Sequence, residues 1–199
     1  MDPTLAPPPH LRSERLELLL PLPQAAPRLL RYLEDNRAHH APFNPPPPPG
    51  YYTLDHWRAR LAQNRQDWRD DKAVRFVLFR RGEVAGPVLG VVNLTQIHRG
   101  PMEAALLGYS LDQDAVGHGY MQEALSAALD YAFTTLGLHR VMANYLPTNE
   151  RSGRVLRRLG FTVEGYARDY LYIDGAWRDH VLTALTSPHP RPPAMCESA

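Results

Sequence analysis

Gly117 and Gly119 stand one residue apart in the stretch Leu106-Leu-Gly-Tyr-Ser-Leu-Asp-Gln-Asp-Ala-Val-Gly-His-Gly-Tyr-Met-Gln-Glu-Ala124, between a β-rich run and an amphipathic one. A helix that starts at such a junction offers unpaired N–H groups and about half a positive charge to an anion. Glycine has no Cβ, so its backbone can come close to a phosphate. The stretch is not a Walker loop, since no Gly-Lys-Ser/Thr follows, and Gln122 stands where a dinucleotide fingerprint needs its third glycine. On its own, an ordinary tight loop accounts for it equally well.

A second group follows the next β-rich run: Asn149-Glu-Arg-Ser-Gly-Arg-Val-Leu-Arg-Arg-Leu-Gly-Phe161. Asn149 is a natural N-cap, its side-chain oxygen closing a helix N–H. Ser152 places a hydroxyl in the first turn, and Arg154, Arg157 and Arg158 offer either phosphate ligands or a solvated helix face. The nine histidines invite a metal reading, but there is no His-Glu-x-x-His and no cysteine partner. His39-His40 reads as a loop pair, and no metal site is expected. Lys72 is the only lysine among 22 cationic residues, which removes Schiff-base chemistry everywhere else. Cys196 is alone in a proline-rich tail and makes no internal disulfide. Tyr145 and Tyr166 either line an acceptor channel or simply pack on half-buried strands.

The elements that must carry these residues are legible from periodicity. The pattern predicts a strand over 15–20, helices over 27–36 and 54–69, and a hairpin of strands 74–79 and 88–95 around Arg81-Gly-Glu-Val-Ala-Gly-Pro87. A third strand, 103–111, runs into the two glycines. After them Met121, Leu125, Ala128, Leu129, Ala132 and Leu136 mark one helical face, closed by Gly137. A strand over 141–145, a short helix from Asn149 to Gly160, and strands 166–173 and 181–185 complete the order β-α-α-β-β-β-α-β-α-β-β.

Of 20 prolines, 13 fall by Pro49, four lie from Pro188 on and only three lie between, which bounds the uninterrupted fold. Residues 1–10 read as a loose arm, 11–187 as one domain, and 188–199 as a proline-rich tail. Residues 42–49 read as a stiff extended spacer of about 3.1 Å per residue, a loop between helices more readily than an exposed ligand. With 44% hydrophobic residues, 199 residues suffice for one real core. Formal charges of 22 against 21 give a net of +1, so charge points to neither nucleic acid nor a membrane surface. No apolar run of 18 residues and no secretory start are present, and a cytoplasmic location is expected.

The two signatures, together with Gly108-Tyr-Ser-Leu, His139-Arg-Val-Met-Ala-Asn-Tyr and Glu164-Gly-Tyr-Ala-Arg-Asp-Tyr-Leu-Tyr-Ile-Asp-Gly-Ala-Trp-Arg-Asp-His-Val-Leu-Thr-Ala-Leu185, resemble the GCN5-related N-acetyltransferases (GNAT). Within that family they resemble most the branch that acetylates N-terminal amines of ribosomal proteins. The resemblance covers about residues 11–186 at fold level, and the likeness to that branch is concentrated after Gly108. It implies the α/β acyl-CoA N-acyltransferase fold: a mixed, mostly antiparallel central sheet, flanked by helices, whose two central strands splay to admit acetyl-CoA as co-substrate. It implies that the N–H groups from Val116 through Gly117, His118 and Gly119 to Tyr120 hold the pyrophosphate. Met121 stands beside them, Ser110 and Leu111 pair with the pantetheine and polarise the thioester, and Asn149 and Arg157 contact the cofactor. It also makes Ser152 the general acid for the leaving thiolate. The family usually opens the loop with Gln or Arg where this chain has Asp114, a departure that bears on how tightly the cofactor is held.

The implied reaction is direct attack by a neutral amine, without an acyl-enzyme. The base that frees the amine is not named. In one relative the carboxylate falls opposite Leu171, so Glu103, Asp169 and Asp174 stay open as candidates. Three acceptors or roles also stay open: a protein N-terminus, most readily the alanine of a ribosomal protein; a small amine such as a drug or polyamine; or acetyl-CoA binding in ribosome assembly, with a pre-ribosomal particle as partner.

Overall fold

The computed structural model describes residues 7–190; Cys196 and the outer parts of the expected arm and tail lie outside these. Eight strands form one sheet in the order β1-β2-β3-β4-β5-β6-β8-β7: β1 His10–Arg12, β2 Leu16–Leu19, β3 Val74–Arg80, β4 Gly90–His98, β5 Ala104–Leu111, β6 Arg140–Tyr145, β7 Thr162–Ile173 and β8 Ala176–Thr186. Every neighbouring pair is antiparallel except β5–β6. The helices are α1 Ala26–Asp35, α2 Arg37–His40, α3 Leu54–Arg69, α4 Tyr120–Asp130 and α5 Glu150–Arg158. This is the mixed α/β sheet with flanking helices expected above.

The core lies on both faces of the sheet. Leu125, Ala128 and Leu129 of α4 pack with Phe76, Leu78 and Val92 on one side. Leu29 and Tyr32 of α1 pack with Leu61 of α3, Val77 and Phe79 on the other. The alternation of Phe76 and Leu78 against Val77 and Phe79 is the period-2 rule at work, both faces being buried.

Three departures have physical causes. Strand β1, His10–Arg12, starts inside the expected arm and is held in the sheet because Leu11 pairs with Leu18. The stripe read as one helix to Leu136 is regular only to Asp130 and then widens into a π turn, Tyr131–Thr135, which leaves Leu136 half-buried and buries Leu138. Strand β7 begins at Thr162 rather than Tyr166. Register shifts at Val163/Gly165 and Ala167/Leu171 break the alternation that marks a strand.

Candidate active site

Strands β5 and β6 pair over only three positions, Ala104↔Arg140, Ala105↔Val141 and Leu106↔Met142, and then part. On the far side β5 stays paired to β4 as far as Gly90↔Leu111. The Asp112 N–H donates to the Leu89 carbonyl at 2.7 Å, which makes Gly90↔Leu111 a non-hydrogen-bonded pair. Leu111, and Tyr109 two residues back, therefore turn their backbone groups away from β4 into the gap. An extended amide chain entering the gap meets a ready strand edge there.

This gap opens into a cleft of about 600 Å³. At its outer end, Gly117 and Gly119 adopt φ of 91° and 78°, left-handed values that glycine takes without cost. That pair of turns aims the start of α4 into the cleft. The first carbonyl taken inside the helix is that of Gly119, by the Glu123 N–H at 3.1 Å, and Gly119 supplies no side-chain cap. The N–H groups of Tyr120, Met121 and Gln122 thus have no intrahelical acceptor, and Val116, Gly117, Gly119, Tyr120 and Met121 all line the cleft. His118 does not line it. Its carbonyl accepts from Arg15 at 3.0 Å, and its ring stacks on Tyr120.

The opposite wall is α5. Asn149 caps it, Oδ1 accepting from the Ser152 N–H at 3.1 Å, so the expected capping role is realised and Asn149 also lines the cleft. Arg151, Arg154, Val155 and Arg158 form the cleft-facing stripe, at helical spacing. Arg157 falls off that stripe, toward the side of the buried Gly153 and Leu156; it is exposed and is not among the residues lining the cleft. The wall is cationic: its one carboxylate, Glu150, accepts from Arg154 at 2.9 Å. Polyanions, and phosphates above all, fit this lining.

Where the strands part, the Tyr109 and Ser152 hydroxyls lie 2.7 Å apart. Burial pushes the Tyr109 phenol up to about 12, against the hydrogen bond to Ser152, so it is protonated at neutral pH. Gly153 lets α5 sit this close, since a Cβ there would meet the Tyr145 ring at 2.9 Å. Tyr145 packs beneath α5 instead of lining the cleft, and the exposed Tyr166 donates to Asp179 at 2.9 Å.

Sequence reasoning missed the side of the cleft built by α1 and α2. Tyr32, Asn36 and His40 recur every four residues and grip the end of β5 in turn. The Tyr32 and Ser110 hydroxyls are 2.8 Å apart. The fully buried Asn36 donates to Asp112 at 2.8 Å and accepts from the Gln113 N–H at 2.8 Å. His40 Nε2 donates to the Leu111 carbonyl at 2.9 Å. His39 and His40 are therefore not a loop pair: they end a helical turn and both line the cleft. The i, i+4, i+8 spacing of Tyr32, Asn36 and His40 was the available signal.

None of the three carboxylates considered as base lines the cleft. Glu103 precedes β5 at its far end and accepts from Arg99 and the Gly100 N–H, both at 3.0 Å. Asp169 lies in the β7 bulge, where its N–H donates to Asp179 at 2.9 Å. Asp174 is in the β7–β8 turn beside Arg178. Among the described residues no group of three or more His, Cys, Asp or Glu is placed to hold a metal, and no helix is long and apolar enough to cross a membrane.

The family model described as "Acetyltransferase (GNAT) domain" matches residues 15–162. The chain is 44% identical to the [ribosomal protein uS5]-alanine N-acetyltransferase of Escherichia coli K12 over 179 residues, 90% of this chain and 91% of that one. Among solved structures it superposes on the ribosomal-protein-S5-alanine acetyltransferase of Vibrio fischeri with a TM-score of 0.87 and 36% identity, covering 92% of this chain and 100% of the other. Mycobacterium smegmatis RimJ, solved in complex with CoA-disulfide, matches with a TM-score of 0.82 and 28% identity over 92% of this chain and 90% of its own.

Proposed function

Since the chain belongs to the acetyltransferase (GNAT) domain family, we propose that it transfers acetyl from acetyl-CoA to the α-amine of a protein N-terminus, an alanine of a ribosomal protein of the uS5 type. The observation that carries the reaction class is the strand gap joined to a phosphate-sized cradle, with a hydroxyl pair at the junction. The uS5-type acceptor is supported by likeness to the Escherichia coli and Vibrio fischeri enzymes.

In this reading the N–H groups of Val116, Gly117, Gly119 and Tyr120 and the start of α4 hold the pyrophosphate, with Met121 alongside and His118 left outside the cleft. Leu111 through its N–H and Tyr109 through its open backbone edge pair with the pantetheine, and Ser110 keeps that edge in place through Tyr32. Such N–H donors are aimed before reaction at the carbonyl oxygen where charge develops. Asn149 orients α5, and Arg154 and Arg158 reach the 3′-phosphate in place of Arg157. When bound, acetyl-CoA supplies the activated acyl group. Transfer proceeds by direct attack of the amine on the thioester in a ternary complex, as the family reading implies. Of the two hydroxyl hydrogens in the Tyr109–Ser152 pair, one lies between the oxygens and the other is free to protonate the leaving sulfur.

The test incubates the protein with acetyl-CoA, a pool of ribosomal N-terminal peptides and a set of small amines, and reads acetylation by mass spectrometry. Acetyl on the α-amine of an alanine-initiated peptide is the expected result. Acetyl on small amines alone would overturn the acceptor class, and binding of acetyl-CoA with no acetylation of peptides or pre-ribosomal particles would reduce the protein to a binder. A polyamine is disfavoured by the lining, whose single carboxylate among the described residues, Glu150, is already paired.

A further inference from the structure

An N-terminal amine arrives as an ammonium and must lose a proton before it can attack, yet among the described residues no free carboxylate lines the cleft. Glu150, the one acid there, is exposed and engaged by Arg154 on the phosphate side. Two other proton acceptors face the cleft, His39 and His40, and their geometry differs. His40 is anchored: Nε2 lies 2.9 Å from the Leu111 carbonyl, which can only accept, so Nε2 carries the hydrogen. In the neutral ring that leaves Nδ1 with its lone pair, and among the described residues Nδ1 has no hydrogen-bond partner.

We propose that His40 is the general base of the transfer: Nδ1 takes a proton from the acceptor ammonium, directly or through one water, and frees the amine for attack. The inference rests on the function proposed above. As the C–N bond forms and the C–S bond breaks, two protons leave the nitrogen. One ends on the coenzyme thiol by way of the Tyr109–Ser152 pair, and the other passes from His40 to solvent.

The surroundings keep His40 available for this. Burial disfavours the imidazolium most, and His39, 5.3 Å away between ring centroids, adds to it. The Leu111 carbonyl and the Asp112 carboxylate act in the opposite sense, but Asp112 is already tied by Asn36. From α1 the Tyr32 ring lies 5.7 Å away, its hydroxyl turned to Ser110. The net effect holds His40 below the ordinary histidine range, so it is neutral at physiological pH. Its bond to Leu111 places it against the strand edge that would hold the thioester.

His40→Gln separates a base from a strut, because the glutamine amide can still donate to Leu111 but cannot take a proton. The expected outcome is acetyl-CoA binding within about twofold of wild type by calorimetry, kcat lower by about 10²–10³-fold, and loss of the acidic limb of the kcat/KM profile. Histidine nitrogen NMR of the wild type should show His40 as the Nε2–H tautomer at neutral pH. A variant with kcat within threefold of wild type and the acidic limb intact would overturn the assignment. So would a variant that no longer binds acetyl-CoA, which would make His40 a support for β5 only. A wild-type protein that acetylates no α-amine overturns the function itself and the base with it; an active wild type with an equally active variant overturns only the base.

Discussion

The hydroxyls of Tyr109 and Ser152 come from elements 43 residues apart, and neither can be exchanged without disturbing the other. If the thiolate takes its proton from this pair, Tyr109→Phe and Ser152→Ala should each lower kcat by about 10–100-fold, with KM for acetyl-CoA little changed. The double variant should be no worse than the worse single one, since the two act as a unit. Additive losses in steady-state kinetics would show that the hydroxyls serve separate roles. Ser152 was legible in the sequence as a first-turn hydroxyl of a helix opened by Asn149. Tyr109 was not, because a tyrosine on a half-buried strand looks like packing until α5 is docked against it. Arg157 shows the reverse case: three arginines in five residues advertise phosphate binding, and only the orientation of α5 decides which of them line the cleft.

At the scale of elements, the cleft is a junction of three helix ends with one strand end. The start of α4 faces it, Asn149 turns α5 toward it, and the Tyr32-Asn36-His40 ladder clamps β5 from the other side. The two glycines before α4 are the most exacting local feature. Gly117→Val puts a β-branched residue at φ of 91°, costing on the order of 1–2 kcal/mol, and fills the space where phosphate would approach. The expected outcome is a folded protein, a few degrees less stable by thermal melt, with turnover abolished and acetyl-CoA affinity reduced at least about tenfold. Full activity in folded Gly117→Val would remove this loop from the cofactor site. The motif was visible as a strand-to-helix junction with Gly-x-Gly spacing. The ladder was less so, since the expected first helix ended at Asn36 and left the histidines in a loop.

Across the whole molecule, several carboxylates tie remote segments together and titrate as stability sensors. The Gly82 N–H at 2.8 Å, with His10 and Arg12, holds Glu17 below the usual carboxylate range. Burial raises Glu123, but the Ser13 hydroxyl at 2.6 Å and the Arg15 backbone and guanidinium at 2.7 Å outweigh it. Partial burial raises half-buried Asp67 too, and Gln63 and Arg75 bring it down. Carboxyls lowered on folding bind their protons more readily when unfolded, so their stabilisation is complete above about pH 4.5 and is lost as pH falls through the lowered values. His40, also lowered, adds a loss of the same sign that begins near its unfolded value of about 6.5. The melting temperature followed by circular dichroism should be level from about pH 7 to 8, decline gently below about 6.5, and fall steeply below about 4.5. A melting temperature unchanged down to pH 3.5 would show that these contacts do not couple to folding. Because Glu123 joins α4 to the Ser13–Arg15 segment, acid should also loosen the start of α4. Periodicity, turn residues and caps settled the kinds and order of most elements, because those depend on neighbours within about four residues along the chain. The signatures around Gly117 and Asn149, with Gly108-Tyr-Ser-Leu, His139–Tyr145 and the block from Glu164 to Leu185, carried the resemblance to the family. Tertiary structure alone decided where β5 and β6 part, that Tyr109 meets Ser152, which arginines face inward, and that His40 seals the end of β5. Each of these is a contact between residues far apart in sequence, set by how helices dock on the sheet and not by any local propensity.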